Sequence, residues 1–209
     1  METLKKDYLL SGIKVIDAAS FIAGPSAATI MSDYGAEVIK IEPQNGDSLR
    51  NLITNGRMPE GPENYCWELT SRNKKSVSLN LKDQKAHNIL IDLIKEADVF
   101  ITNMPFPIRK KLKITSEDIR PHNTKLIYAS LTGYGEVGPD ADRTAYDSVA
   151  WWARSGLMDF VRPSNNSPVA WSTPGMGDHP TGMALYLSLI HISEPTRRYA
   201  ISYAVFCLK

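Results

Sequence analysis

Asp178 is the side chain whose neighbours best suit it to covalent chemistry. It lies in Gly177-Asp178-His179-Pro180-Thr181-Gly182-Met183, so its carboxylate is expected on a glycine-flanked turn that opens a helix. Glycines would let a bulky substrate come close, and loop amides could stabilise an oxyanion formed at an attacked carbonyl. The same residues also describe an ordinary helix cap, the commoner use of such a turn. His179 reads as a loop hydrogen-bonder rather than a base.

A second set of residues could hold an anion. Lys40, Arg72, Lys74, Lys75, Lys82, Arg109, Lys110 and Lys111 recur near the expected ends of strands. Charge-assisted contacts from such groups could hold a ligand with several phosphates, although each cation singly also suits solvated surface. The loop Ala23-Gly-Pro-Ser-Ala-Ala28 is small enough for a phosphate or an adenine to approach its backbone. It lacks G-x-G-x-x-G, which disfavours a dinucleotide site of the usual kind, and tight strand-to-helix packing explains its small residues equally well.

The elements that must position these groups alternate. Apolar or alternating runs at 13–17, 36–42, 76–80, 99–102 and 126–130 predict strands. Pro25 marks a helix start after the first and Gly35 its end; Asp83 caps a helix over 84–97, and Ser116 caps a short one. Residues 43–72, rich in Gly and Pro, read as a long excursion. Strands alternating with helices predict an α/β fold with a parallel, doubly wound sheet. Ligands of such sheets bind beyond the strands' carboxyl ends, after Asp17, Glu42, Asn80, Thr102 and Ser130.

Composition narrows the function classes. The chain has 209 residues, 43% hydrophobic and 22% charged, with net charge +1, so no long-range field draws it to nucleic acid or an acidic membrane. No apolar run reaches the ~18 residues of a membrane span, and the start lacks a signal core, so a cytoplasmic protein is expected. Cys66 and Cys207 form neither a disulfide framework nor a metal-ligand spacing.

The end of the chain reads differently. Leu187-Ser-Leu-Ile-His-Ile-Ser-Glu-Pro-Thr-Arg197 matches translated sequencing-adapter DNA, and Ile201-Ser-Tyr-Ala-Val-Phe-Cys-Leu208 matches its decoded far end. Residues 187–209 are therefore expected to be non-native, and His191 and Cys207 to carry no chemistry. Residues 1–186 are expected to form the incomplete large domain.

An ordered series of motifs resembles the family III CoA-transferases, also called the carnitine-dehydratase/bile-acid-inducible F family. It runs from Leu10-Ser-Gly-Ile-Lys-Val-Ile-Asp17 through Ala23-Gly-Pro25, Gly35-Ala-Glu-Val-Ile-Lys-Ile-Glu42, Gly46-Asp47 and Arg50. It continues through Asn73-Lys-Lys-Ser76, Leu79-Asn-Leu-Lys82, Ala97-Asp-Val99, Asn103 and Thr132-Gly-Tyr-Gly135 to Gly177-Asp178 and Gly182-Met183.

The resemblance implies a Rossmann-like, CoA-binding part of an interlocked homodimer whose smaller domain completes the site. Coenzyme A and acyl-CoA would be substrates, alongside a small carboxylic acid, with no permanently bound cofactor or metal. By analogy Ser20, Phe21 and Ile22 neighbour the thioester, Leu79 and Lys82 lie along the CoA, and Asn103 is near its pantetheine or phosphate end. Lys111 stands where many relatives carry an arginine for CoA phosphate, and it lacks the arginine's bidentate fork. Asp178 would attack the acyl-CoA to give a mixed anhydride and then an aspartyl-CoA thioester.

Related α-methylacyl-CoA racemases carry a histidine where this chain has Tyr146, which favours transferase over two-base racemisation. The Gly-Asp-His-x-x-Gly-Met wording and Arg154-Ser-Gly156 most resemble the anaerobic 2-hydroxyacyl branch, of phenyllactate and hydroxyisocaproate type. As a truncated N-terminal part, the chain as written is expected to be inactive.

Overall fold

The computed structural model describes residues 8–52 and 61–193. Strands β1 (Lys14–Asp17), β2 (Glu37–Glu42), β3 (Lys75–Ser78), β4 (Val99–Thr102) and β5 (Ile127–Ser130) form one sheet in the order β3-β2-β1-β4-β5. Every neighbouring pair is parallel, as the alternation predicts.

Period-two alternation puts successive strand side chains on opposite faces, and each face has its own core. Val15, Val38, Val99 and Ile101 face α1 (Ala23–Asp33) and α7 (Asp178–Ser193), where they meet Ala27, Met31, Tyr186 and Leu189. Ile16, Ile41 and Phe100 face the other way, toward Leu90, Ile91 and Ile94 of α3 (Gln84–Lys95) and Ile119 of α5 (Ser116–Ile119). α7 does not stop at residue 186: Leu189, from the segment set aside as non-native, is buried in the first core.

Local chemistry explains the helix ends. α1 begins two residues before Pro25, because first-turn amides have no intrahelical acceptor and a proline there loses nothing. It closes with Gly35 at φ +97°, whose N–H donates to the Ser32 carbonyl while Ala36 N–H donates to that of Met31. A side chain at Gly35 would lie 2.4 Å from Tyr8 Cβ, so glycine is required twice over. Asp83 caps α3 by accepting from the Lys85 and Ala86 amides.

Three expectations need correction. The cap of α5 is Thr115 rather than Ser116, because Asp118 returns a bond to the Thr115 amide and completes a capping box. The excursion over 43–72 holds a 3-10 turn (Ser48–Asn51) and a helix, α2 (Tyr65–Ser71), capped by Asp47 and Asn64; 53–60 lie outside the described residues. Helices α4 (Phe106–Leu112), whose Pro107 sits in the permissive first turn, and α6 (Leu157–Phe160) are elements the sequence pattern did not predict. No helix among the described residues is long and apolar enough to cross a membrane.

Candidate active site

The chain lays β2 and β3 to one side of β1, then crosses back to place β4 and β5 on the other. The connections after β1 and β4 therefore leave in opposite directions and open a crevice above the strands' carboxyl ends. Ser20 and Asn103 face each other across it. The Ser20 amide donates to Asn103 Oδ1 at 2.8 Å, and Asn103 Nδ2 donates back to the Ser20 carbonyl at 2.8 Å.

Next to this pair the backbone is strained. Phe21 has φ +62°, a left-handed conformation that costs a residue with a side chain roughly 1–2 kcal/mol. Its amide donates to Asp47 Oδ1 at 3.2 Å, and its ring meets the Tyr146 ring edge-on, centroids 6.1 Å apart. Tyr146 itself is largely exposed.

A buried charge network underlies the loop. Lys40 Nζ lies 3.0 Å from Asp47 and 3.8 Å from Asp17, and donates to the Ala19 carbonyl. Lys74 Nζ donates to Asp17 Oδ2 and to the carbonyls of Pro25 and Thr70. Burial alone would push the Asp17 carboxyl up, but Lys40 and Lys74 outweigh it and hold the group below its ordinary value.

These contacts revise the reading of the strand-end cations. Lys40 and Lys74 are enclosed by protein carboxylates and carbonyls. Arg109 is buried on Glu136, Ser130 and the Met104 carbonyl, Arg72 pairs with Asp33, and Lys75 pairs with Glu37 at the opposite end of the sheet. Lys82, which follows β3, and Lys110 and Lys111, in the last turn of the helix Phe106–Leu112, are exposed. Leu79 is 7% exposed and packs in the core on the α3 face, its amide donating to the Glu42 carbonyl at the end of β2.

Asp178 opens α7, which lies along α1, so the Asp178 turn stands beside the Ser20–Ile22 loop. The surrounding glycines are spent on protein contacts rather than on room for a ligand. A side chain at Gly182 would come within 2.7 Å of the Ala23 carbonyl and 2.8 Å of Ser26 Oγ; at Gly177 it would strike Trp151 at 2.8 Å. One at Gly175 would crowd Ile22 Cδ1 at 3.2 Å. Trp151 belongs to a π-helical segment (Ser148–Ala153), a geometry common at functional sites.

Electrostatics single out the carboxyl. A helix N-terminus stabilises an anion, but burial, with the Asp147 carboxylate adding to it, pushes Asp178 up to about 6. Asp147 Oδ2 accepts the Gly177 amide at 3.2 Å and its Oδ1 that of Ser148. Burial lowers His179, which keeps its ring neutral over a wider pH range and unsuited to act as a standing cation. No group of three or more metal-ligating side chains gathers among the described residues.

The structure thus brings together Ser20, Phe21, Ile22, Asn103, Tyr146 and Asp178 at one crevice, while Leu79 lies in the core and Lys82 and Lys111 are exposed on segments that follow β3 and β4. Sequence reasoning gave no role to Asp47, which lies in the Gly46-Asp47 motif, or to Asp147, which follows Tyr146. Their adjacency to Gly46 and Tyr146 was the available signal.

The family model for CoA-transferase family III matches residues 10–192. The chain belongs to CoA-transferase family III. Over 178 residues it is 41% identical to (R)-2-hydroxy-4-methylpentanoate CoA-transferase of Clostridioides difficile, covering 85% of this chain and 44% of that protein. It is 40% identical to cinnamoyl-CoA:phenyllactate CoA-transferase of Clostridium sporogenes, covering 85% and 43%. The chain therefore spans less than half the length of these relatives.

Among solved structures, a CAIB/BAIF family protein from Brucella suis superposes with a TM-score of 0.79 at 26% identity, covering 90% of this chain and 50% of that one. A Mycobacterium tuberculosis protein gives 0.80 at 29%, covering 91% and 52%.

Proposed function

We propose that the protein to which this chain belongs moves CoA from an acyl-CoA to a free carboxylic acid, with Asp178 as the covalent nucleophile. The observation that carries this reading is the half-buried Asp178 carboxyl at the switch-point crevice, raised to about 6 and so more basic than an ordinary aspartate while still ionised at neutral pH.

The Asp178 carboxylate attacks the thioester carbonyl and expels CoA thiolate, leaving an acyl-aspartyl anhydride. The thiolate attacks the aspartyl carbonyl of that anhydride, releasing the donor acid as carboxylate and forming an aspartyl-CoA thioester. The acceptor carboxylate attacks this thioester, expels CoA thiolate and makes a second anhydride. The thiolate then attacks the acceptor's carbonyl, which yields the new acyl-CoA and returns Asp178 as carboxylate. One difficult exchange becomes several steps between species of comparable energy.

In this reading Ser20, Phe21, Ile22 and Tyr146 border the thioester, Asn103 fixes the loop at the pantetheine, and Lys82 and Lys111 meet the phosphates. The 2-hydroxyacyl specificity in the names of the two clostridial relatives is consistent with the motif wording around Asp178, and a homodimer would complete the site. The test is made on the full-length protein. Asp178→Asn should lower transfer at least ~1,000-fold, and hydroxylamine added with acyl-CoA should convert Asp178 of the unsubstituted protein to its hydroxamate, read by peptide mass spectrometry. A fully active Asp178→Asn protein rejects the assignment.

A further inference from the structure

We propose that Asp47 is a positioning residue for the active-site loop: by accepting the Phe21 amide it holds Phe21 in its left-handed conformation and so seats Ser20–Ile22 against the Asp178 turn. The proposal rests on the reading of Asp178 as the reacting carboxylate.

Phe21 has φ +62°, which a side-chain-bearing residue adopts only when its surroundings compel it. Ser20, just before it, is fixed on both its amide and its carbonyl by Asn103. The relaxed alternative is a flip of the Ser20–Phe21 peptide plane, which would turn Phe21 to an ordinary negative φ and carry both the Ser20 carbonyl and the Phe21 amide away from their partners. The 3.2 Å bond from the Phe21 amide to Asp47 Oδ1, with the Asn103 bond to the Ser20 carbonyl, holds the plane in the observed orientation.

Asp47 is itself held rigidly. It is 2% exposed, its Oδ1 also accepts the Leu49 amide, its own amide donates to Glu42 Oε2, and Lys40 pairs with Oδ2 at 3.0 Å. Glu42 in turn takes two bonds from Arg50, whose guanidinium lies 3.6 Å from the Trp67 ring centre. The segment after β2 is thereby tied to the loop after β1, and through the Phe21 and Tyr146 rings and the Ile22 methyl against Gly175 to both flanks of the Asp178 turn.

The test separates conformation from the loss of the ring. Phe21→Ala and Phe21→Gly both delete the ring, but only glycine adopts positive φ without cost. Asp47→Ala is introduced into each background of the full-length protein. Acyl transfer should then fall about tenfold in the Phe21→Ala background, chiefly in kcat, and at most about twofold in the Phe21→Gly background, the scale expected when a positioned group slips by a fraction of an ångström. Equal losses in the two backgrounds would overturn the proposal.

Deuterium exchange of the peptide spanning 18–24 reads the same cycle without turnover. Protection should drop on Asp47→Ala in the Phe21→Ala background and not in the Phe21→Gly background; unchanged protection in both overturns the proposal whether or not the protein transfers CoA. Absence of transfer in the unsubstituted protein, with the exchange pattern as expected, rejects the function and leaves the clamp. Where Asp47→Ala alone unfolds because Lys40 is stranded, Lys40→Met is added and the same background comparison applies.

Discussion

At the scale of single residues, the carboxyl of Asp178 determines how the site should respond to pH. Its value of about 6 arises from burial first and from Asp147 second. In the proposed mechanism the reacting form is the carboxylate, so kcat/KM of the full-length protein should fall as a one-proton limb below about pH 6. Asp147→Asn removes the like charge and should move that limb to lower pH; a limb that stays or moves up would contradict the pairing. The same shift bears on stability. Folding raises the group above its unfolded value, so its ionisation opposes folding at neutral pH, and this penalty fades as pH falls from above 6 toward 4. Asp178→Asn should therefore stabilise the protein at pH 7 by up to about 3 kcal/mol, measured by urea unfolding, with the gain shrinking at pH 4. Asp178 stands out in the sequence as a candidate nucleophile through the family resemblance, its turn alone suiting a helix cap; its raised proton affinity was not legible, because Asp147 approaches from 31 residues away in a fold the sequence does not display.

At the scale of elements, the pairing of α1 with α7 decides where Asp178 stands. Gly182 allows that pairing, since any side chain there would press on the Ala23 carbonyl and Ser26. Gly182→Ala should cost about 1–3 kcal/mol by overpacking and should lower acyl transfer more than a surface Gly→Ala of equal stability cost. Thermal melting and steady-state kinetics on the full-length protein measure both. The strands were legible because short apolar or alternating runs, too short for a buried helix and bounded by turn-forming or polar residues, favour strand. Helix α4 and the helices within 43–72 were not, because prolines and glycines that mark turns in one setting sit harmlessly in a helix's first turn or just before it in another.

At the scale of the whole molecule, alternation of strands and helices gave a parallel sheet but not the order of its strands. Which side of β1 receives β4 depends on packing across both cores, and the Ser20–Asn103 pair joins residues 83 apart. For the same reason the strand-end cations could not be sorted into ligand-facing and internal groups from sequence alone: Lys40 and Lys74 find their carboxylates only after the sheet closes. Beyond residue 136 the side chains of Val137, Phe160 and Trp171 stand exposed at 92%, 85% and 94%. Exposed apolar side chains of this size favour association. Trp171→Lys should raise the soluble yield of the 209-residue chain and reduce its binding of a hydrophobic dye, while shifting unfolding by no more than about 0.5 kcal/mol.

The π-helical turn over Ser148–Ala153 also constrains what mutation can do to the gene. Such a turn accommodates one residue more than an α-helical one, and each residue of an α-helix advances the side chains by about 100°. Loss of a single codon there would let the segment relax into ordinary α-helix. That would rotate Trp151 away from Gly177 and withdraw the Trp152 ring nitrogen from the Ala170 carbonyl that it now reaches at 2.8 Å. Point substitutions along this stretch can be graded in their effect, whereas an in-frame deletion of one residue would change the reading of every side chain after it, so length here is under a stricter constraint than identity.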